Sequence, residues 1–230
     1  MRYNNKYAMP VDPRALEQDF KTPRGTIADI NHALKNLKGA DTADDLNYLK
    51  LESLAKKVRR LWFKINLKEG INLKDRERLY PLFKEMNRVF DGNKTVPVAY
   101  RGVRMPRFSP RGISENDPNV KEILEGLAYG LRSWTSDPIM ANSWASGAAD
   151  DTPEKAKGRD KVVFEIENPQ VVLDCNKVLR YYIRTLRDFF QDEGYPFDWD
   201  ENILKLDNPK VLSIRKKEGY DDLYIVKVKD

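Results

Sequence analysis

The tripeptide Tyr100-Arg101-Gly102 closes a short apolar run that begins at Val96. An arginine at the tip of an extended segment holds out a rigid fork of N–H donors, which matches the oxygens of a phosphate or diphosphate two at a time. The glycine after it lets a ligand or another backbone approach closely. These residues therefore predict an anion-binding position at Arg101.

Two hydroxyl side chains follow later in the chain. Ser133 and Thr135 are two residues apart in a predicted strand, so their side chains face the same side of it. A helix that begins after Asp137 is predicted to pack behind this strand. Hydroxyls on a supported strand can hydrogen-bond a ribose or position a carboxylate. A hydroxyl-rich strand followed by an ordinary amphipathic helix is the alternative interpretation.

The third group is a loop that combines aromatic and acidic residues. Phe197 and Trp199 alternate with Asp198 and Asp200, and Glu201 opens the apolar run that follows. Aromatic rings are unfavourable in water, so their presence in an acidic loop indicates a surface for a ligand or an acceptor. Acids that only keep the loop soluble are the alternative.

Composition narrows the chemistry. The 230 residues include 41 Lys and Arg against 36 Asp and Glu, a net charge of +5 that favours anionic ligands and is compatible with a nucleic-acid partner. The single cysteine, Cys175, excludes an internal disulfide and a cysteine-based zinc site, and the single histidine, His32, argues against a Ser-His-Asp triad. We predict no metal site. Without a secretory signal or a membrane-crossing apolar run, we expect a cytoplasmic protein with no membrane partner.

Helices are predicted for the first region of the chain. There, apolar residues recur at steps of three and four, which is typical of helices with one buried face. The helices are predicted at about Gly25–Leu37, Leu51–Ile65 and Leu79–Phe90, the last with Pro81 in its first turn.

Strands are predicted after Val96, where the pattern changes to short β-rich runs separated by turn residues. They are predicted at Val96–Val103, Leu131–Ser136, Lys161–Val172, Ile203–Ile214 and Asp222–Val228, with one helix at about Lys177–Gln191. The sequence therefore predicts an α+β fold. A helical N-terminal half, residues 1–94, packs on a mostly antiparallel β core, residues 95–230, as one compact unit.

The order of these motifs resembles that of a known family. Tyr-Arg-Gly, then Ser-Trp-Thr with Ala141 and Trp144 behind it, then Glu201 before an Ile-Leu strand, resembles the Arg-Ser-Glu class of mono-ADP-ribosyltransferases. These enzymes share the fold of many bacterial toxins, and the likeness extends to the phage-encoded ModB-type enzymes. The resemblance covers the chain from about Val96 onward. It implies an ADP-ribosyltransferase-type β core.

The resemblance also implies an activity. Enzymes of this class use NAD as co-substrate, need no metal, and transfer ADP-ribose to a macromolecular acceptor, either protein or nucleic acid. A chain of this kind would act as a phage or bacterial effector in the cytosol of a bacterium or of an infected host. Breaking the nicotinamide bond leaves a ribosyl cation, which a fixed carboxylate stabilises.

Roles for individual residues follow from the resemblance. Arg101 resembles the arginine that binds the NAD diphosphate, and Ser133 the hydroxyl that shapes the nicotinamide pocket and supports the catalytic glutamate. Thr135 is the third residue of that strand motif. Glu201 resembles the catalytic glutamate, which holds the 2′-hydroxyl of the nicotinamide ribose. The remaining residues expected to line the cofactor site are Tyr100, Gly102 and Trp134.

One alternative concerns the catalytic glutamate. Glu165 and Glu167 match the family's Glu-x-Glu spacing more literally than Glu201 does. We interpret them as part of an intermediate strand, because the acids alternate with Phe164 and Ile166 as in a half-buried strand.

The acceptor also departs from the family pattern. Trp199 stands where the Glu-x-Glu form has an acid that activates an arginine acceptor. The sequence therefore favours another side chain or a nucleic acid as acceptor, or plain hydrolysis of NAD. Phe197, Trp199 and Asp200 are predicted to recognise that acceptor. The loop from Ser146 to Asp160, with Lys155, Lys157 and Arg159, either assists at the phosphates or is simply solvated.

Two other classes of function stay open at this point. One is a catalytically inactive relative that serves as a binding module, for example on a virion. The other is an unrelated basic nucleic-acid-binding protein, in which Arg101 and the lysine clusters contact phosphates.

Overall fold

A computed structural model describes residues 23–51, 53–54, 57, 73–107, 113–114, 116–146, 159–178 and 200–230. The chain divides into two compact units. The first comprises Met1–Asn93 with Leu173–Asp198, and the second comprises Lys94–Val172 with Trp199–Asp230. The domain boundary near residue 94 that the sequence suggests stays a prediction.

The first unit contains two described helices, α1 (Pro23–Leu37) and α2 (Leu73–Val89), which pack together. Each buries apolar residues at helical spacing, among them Ile30, Ala33 and Leu37 on α1. A capped turn of 3-10 helix, Ala43–Asp45, lies between them in the chain. The predicted helix at Leu51–Ile65 lies largely outside the described residues, as does most of the predicted helix at Lys177–Gln191.

The predicted start of α2 was wrong. The helix begins at Leu73, so Pro81 lies inside it and not in its first turn. The residues that precede Leu79 are mostly charged and leave no apolar periodicity to read. The exposed Pro81 removes only the amide that would bond the carbonyl of Glu77.

The second unit is built on a mixed sheet with two helices. Its described elements are β1 (Val98–Pro106), α3 (Pro118–Ala128), β2 (Gly130–Thr135), α4 (Pro138–Ser146), β3 (Arg159–Glu167), the start of β4 (Val171–Asp174), β5 (Glu201–Leu206), β6 (Lys210–Lys216) and β7 (Leu223–Lys229). The seven strands lie in the order β4-β5-β2-β1-β3-β7-β6. Strands β3 and β7 run parallel, whereas β1–β2, β1–β3, β2–β5 and β6–β7 are antiparallel. The α+β class and the mostly antiparallel sheet are thereby confirmed.

The sheet buries apolar side chains on both faces. One face carries the larger core, in which Trp134, Phe164 and Leu204 pack with Val120 and Leu124 of α3. The other face packs against α4. Gly102 of β1 makes that approach possible, because a Cβ there would overlap the carbonyl of Ala141 and lie 2.7 Å from the Ala145 amide nitrogen.

Two predicted strands are each divided by a turn. The run Lys161–Val172 contains most of β3 and the start of β4, separated at Asn168, whose φ is +50°. The run Ile203–Ile214 contains most of β5 and most of β6. Helix α3 was not predicted from the sequence. No helix among the described residues is long and apolar enough to cross a bilayer.

Candidate active site

The candidate site begins where the sheet opens between β1 and β2. Strand β1 pairs with β3 along its whole length, from Val98 to Pro106. Toward β2, in the part of the chain that the structure describes, it pairs only at Tyr100 with Thr135. In an antiparallel register the next pairs would be Arg101 with Trp134 and then Gly102 with Ser133. The two strands therefore separate directly beside Arg101.

The Arg101 side chain reaches from β1 to β2 where this opening begins. Its Nη1 donates to the backbone carbonyl of Ser133 over 2.8 Å, and the side chain is half-buried. This charge-assisted hydrogen bond fixes the guanidinium at the level where the ladder bonds between β1 and β2 stop. Because Arg101 pairs with Phe164, its side chain leaves β1 on the face of Trp134, opposite to Tyr100 and Glu201. From there it holds a positive charge against the edge of β2, beside the Ser133 carbonyl.

Ser133 carries a buried hydroxyl that makes no hydrogen bond with the described residues. The residue is 3% exposed, and its Oγ is shielded from solvent. A buried hydroxyl without a partner is unfavourable by about 1–3 kcal/mol. Such a group is expected where a ligand supplies the missing bond. The neighbouring Trp134 Nε1 is also buried without a hydrogen bond, on the core side of β2.

Glu201 is the first residue of β5 and pairs with Thr135, the last residue of β2. It is 4% exposed, although a carboxylate is among the groups most unfavourable to bury. Cross-strand partners share a face, so Glu201, Thr135 and Ser133 lie on the same face of the sheet. Ser133 pairs with Ile203 and is thus the diagonal neighbour of Glu201, about 7 Å away between Cβ atoms.

Thr135 has a structural role in the turn that follows β2. Its Oγ1 accepts a hydrogen bond of 3.0 Å from the backbone amide of Asp137. The Asp137 carboxylate in turn accepts one of 2.8 Å from the Ile139 amide, in the first turn of α4. The hydroxyl of Thr135 therefore holds the chain where it turns from the site into its supporting helix.

The residue before Glu201 has an unusual backbone. Asp200 has a φ of +44°, in the left-handed region. Its carbonyl accepts hydrogen bonds from the Ser136 amide at 3.1 Å, the Ser136 hydroxyl at 3.3 Å and the Asn202 side-chain amide at 3.2 Å. Ser136 and Asn202 were not predicted to act at the site, because nothing in the sequence indicates that their partner is a backbone carbonyl.

The alternative pair of carboxylates lies elsewhere on the sheet. Glu165 and Glu167 are on β3, and Lys227 of β7 contacts them at 3.2 and 3.3 Å. Their hydrogen bonds raise the pKa of Lys227, that to Glu165 more than that to Glu167. Glu165 and Glu201 are separated by three strand spacings, about 14 Å. The structure therefore does not bring this pair to Ser133.

Other residues predicted for the cofactor site lie in different surroundings. Tyr100 packs against the apolar cluster under α4, on the same face as Glu201, and Gly102 meets α4 itself. Trp134 is fully buried on the opposite face, with its ring centroid 6.4 Å from that of Phe164. Alternation along β2 places it there, between two residues that face the site. The ring thus belongs to the core, and the assignment of Trp134 to the cofactor site stays a prediction.

Part of the predicted site lies outside the described residues. Phe197 and Trp199 are among these, as are Lys155 and Lys157. Arg159 is the first residue of β3 and pairs with Pro106. The described residues contain no cluster of three or more His, Cys, Asp or Glu side chains suited to a metal ion.

No protein-family model matches this sequence, and no curated protein does. Among solved structures, the chain is similar to ADP-ribosyltransferase Vis in complex with the M6 inhibitor, with a TM-score of 0.38, 10% identity and coverage of 94% of this chain and 89% of that one. It is also similar to exoenzyme S from Pseudomonas aeruginosa, in complex with human 14-3-3 protein beta and bound to carba-NAD. That match has a TM-score of 0.37, 13% identity and coverage of 93% and 87%. Likeness of this size carries no argument about function, which rests on the geometry above.

Proposed function

We propose that this chain is an NAD-dependent mono-ADP-ribosyltransferase. In this proposal it cleaves the bond between nicotinamide and ribose and transfers ADP-ribose to a macromolecular acceptor, as a phage or bacterial effector. The observation that carries the proposal is Glu201. It is a buried carboxylate on the same face as the unbonded hydroxyl of Ser133, next to an opening in the sheet that holds the Arg101 guanidinium.

The chemistry of these three groups fits NAD. The Arg101 guanidinium can bind the diphosphate of NAD. The Ser133 hydroxyl can hydrogen-bond a polar group of the nicotinamide or of the ribose attached to it. The Glu201 carboxylate can stabilise the ribosyl carbon as it becomes positively charged. NAD supplies a glycosidic bond whose leaving group is nicotinamide and whose ribosyl carbon gains positive charge as that bond breaks. The residues of this chain need no metal for such a reaction.

Each residue then has one task. Arg101 binds the diphosphate and is itself oriented by the Ser133 carbonyl. Glu201 holds the ribose 2′-hydroxyl and stabilises positive charge, an effect that is stronger in a buried site than in water. The Ser133 hydroxyl hydrogen-bonds the ligand or the Glu201 carboxylate. Thr135 keeps the end of β2 in register with Glu201.

The second half of the proposed reaction is the transfer of ADP-ribose to an acceptor. We assign its recognition to Phe197, Trp199 and Asp200, which precede β5 in the sequence. Because Trp199 replaces an acid in the Glu-x-Glu pattern, we favour a protein side chain other than arginine, or a nucleic acid.

The first test compares two glutamates. We expect wild-type protein to release nicotinamide from NAD and Glu201→Gln to be slower by about 10²- to 10³-fold, as is typical for loss of a group that stabilises transition-state charge. The matched control is Glu167→Gln, the same change at the alternative position, and it should stay within about twofold of wild type. Arg101→Lys should raise the KM for NAD by about tenfold, because lysine lacks the two-pronged fork.

Three results would count against the proposal. Nicotinamide release that survives Glu201→Gln would remove Glu201 from catalysis, and loss in Glu167→Gln would put Glu167 in its place. NAD binding without turnover by the wild type would indicate an inactive relative that acts as a binding module. Transfer of labelled ADP-ribose from NAD to lysate fractions, treated separately with protease and nuclease, identifies the class of acceptor.

A further inference from the structure

The backbone carbonyl of Asp200 is held by donors from two directions. Ser136, in the loop after β2, donates its amide over 3.1 Å and its hydroxyl over 3.3 Å. Asn202, the second residue of β5, donates its side-chain amide over 3.2 Å. Asn202 is buried, so its side chain is confined. Three donors on one carbonyl fix the peptide plane between Asp200 and Glu201.

This peptide plane requires an uncommon backbone conformation. Asp200 has a φ of +44°, which a non-glycine residue adopts at a cost, although aspartate and asparagine tolerate it better than most. Among the described residues, Asp91 and Asn168 also have a positive φ, and both lie in turns between elements. Asp200 differs from them because it directly precedes a buried carboxylate.

The Asp200 carbonyl lies at the end of the ladder between β2 and β5, directly before Glu201. The last cross-strand pair of β2 and β5 is Thr135 with Glu201. The bond from the Ser136 amide to the Asp200 carbonyl lies one residue beyond that pair and closes the end of the ladder. Without it, the first residue of β5 would be free to fray, as strand ends do. A carboxylate must stay within about 0.5 Å of its productive position to act efficiently.

We propose that Asp200, Ser136 and Asn202 form a backbone clamp that positions the Glu201 carboxylate. Asp200 acts in this clamp through its left-handed backbone and its carbonyl, and its own carboxylate is not needed. All three are positioning residues, since they act through Glu201. The inference rests on the proposed function, because it assigns them to the same reaction. It also separates this role of Asp200 from acceptor recognition, which would need its side chain.

Three substitutions at one position test the clamp. Asp200→Gly, Asp200→Asn and Asp200→Ala all remove the carboxylate, but glycine and asparagine accept a positive φ and alanine does not. For nicotinamide release we expect Asp200→Gly and Asp200→Asn to have kcat values within about twofold of each other. Asp200→Ala should lose about tenfold in kcat with an unchanged KM for NAD. Asp221→Ala, which removes an exposed acid that has only a 3.8 Å ion pair, is the control for charge and should match wild type.

A second measurement tests the hydrogen bonds of the clamp independently of catalysis. Hydrogen exchange of the Ser136 amide, followed without NAD, should be about tenfold faster in Asp200→Ala than in Asp200→Gly. If Asp200→Ala does not fold, Ser136→Ala removes one donor and should lower kcat about threefold, and Ser136→Thr should restore it.

The outcomes separate the two proposals. Equal turnover in Asp200→Ala and Asp200→Gly would overturn the clamp while leaving the proposed function intact. An equal loss in all three Asp200 variants would show that the carboxylate acts, and would overturn the clamp as well. Wild-type protein that releases no nicotinamide would overturn the proposed function, and the positioning role with it.

Discussion

The two edges of β1 differ sharply in how they are paired. Toward β3, β1 is paired over Val98–Pro106, and toward β2 the described chain is paired at Tyr100 alone. On the closed edge, residues opposite β1 are apolar or ion-paired, such as Phe164 and the Glu165–Lys227 pair. On the open edge, Arg101 reaches the backbone of β2 and Ser133 keeps an unbonded hydroxyl. One strand thus combines a fully paired edge with an edge that opens beside polar groups.

Features that lower local stability are concentrated at the open edge of β1. A complete ladder satisfies the backbone groups of both strands, whereas the open edge leaves a buried hydroxyl, a buried carboxylate and a left-handed aspartate close together. Each feature is unfavourable by itself. Proteins accumulate such features at functional sites, where a ligand or a reaction uses them.

The largest expected effect is on the free energy of unfolding, at the contact between β1 and α4. Gly102→Ala places a Cβ where it overlaps the Ala141 carbonyl and crowds the Ala145 amide, so β1 and α4 must separate. We expect the free energy of unfolding to fall by about 3 kcal/mol. Urea denaturation measures it. Gly126→Ala is the matched control: it lies in α3, a Cβ there meets nothing within 4 Å, and the change should stabilise by about 0.5–1 kcal/mol. Equal effects of the two changes would mean that α4 does not support β1 at Gly102.

Much of the fold could be predicted from the sequence, because alternation and turn residues are local signals. These signals predict the succession of strands along the chain and the helices α1, α2 and α4. Helix α3 was missed although its signals are present: Asp117 caps it, Pro118 begins it, and Val120 and Leu124 are spaced four apart. Strand phase also places Trp134 on the core face of β2, since it alternates with Ser133 and Thr135.

The rest of the site depends on long-range pairing. That β1 and β2 separate after one pair is a matter of register between distant segments, which no local pattern encodes. The clamp on Asp200 is a backbone interaction, and Ser136 and Asn202 look like ordinary polar residues in the sequence. Residue types suggested which groups to examine, and the topology decided which of them meet.

A smaller effect is expected at the open edge. Ser133→Ala removes a buried hydroxyl that has no partner among the described residues, so stability should stay the same or rise by about 1 kcal/mol. Nicotinamide release should nevertheless fall about tenfold, the equivalent of one lost hydrogen bond. Ser213→Ala, on the half-buried part of β6, is the control and should leave turnover unchanged. A loss of stability without loss of turnover would make Ser133 a structural residue.

The smallest effect is expected far from the opening, where α3 meets β6. The Glu125 carboxylate accepts hydrogen bonds from the Val211 amide at 3.1 Å and from Lys210 Nζ at 3.2 Å. These contacts, the amide more than the lysine, lower the pKa of Glu125. Because that pKa is lower in the folded chain than in the unfolded one, the carboxylate stabilises the fold above about pH 4.3. This contribution is lost as the pH falls through the folded-state pKa.

Glu125→Gln tests whether this edge of the sheet contributes only stability. At pH 7 we expect the free energy of unfolding to fall by less than about 1 kcal/mol, because the pair is partly exposed and glutamine keeps an acceptor for the Val211 amide. The difference from wild type should shrink as the pH falls and vanish below the lowered folded-state pKa of Glu125, where the carboxyl group is protonated in both folded and unfolded chains. Denaturation at several pH values measures it. Nicotinamide release should not change, since Glu125 lies on a helix that packs on the core face and not on the face of Glu201. A change in turnover with unchanged stability would mean that the closed part of the sheet communicates with the opening, and that the two edges of β1 are not functionally separate.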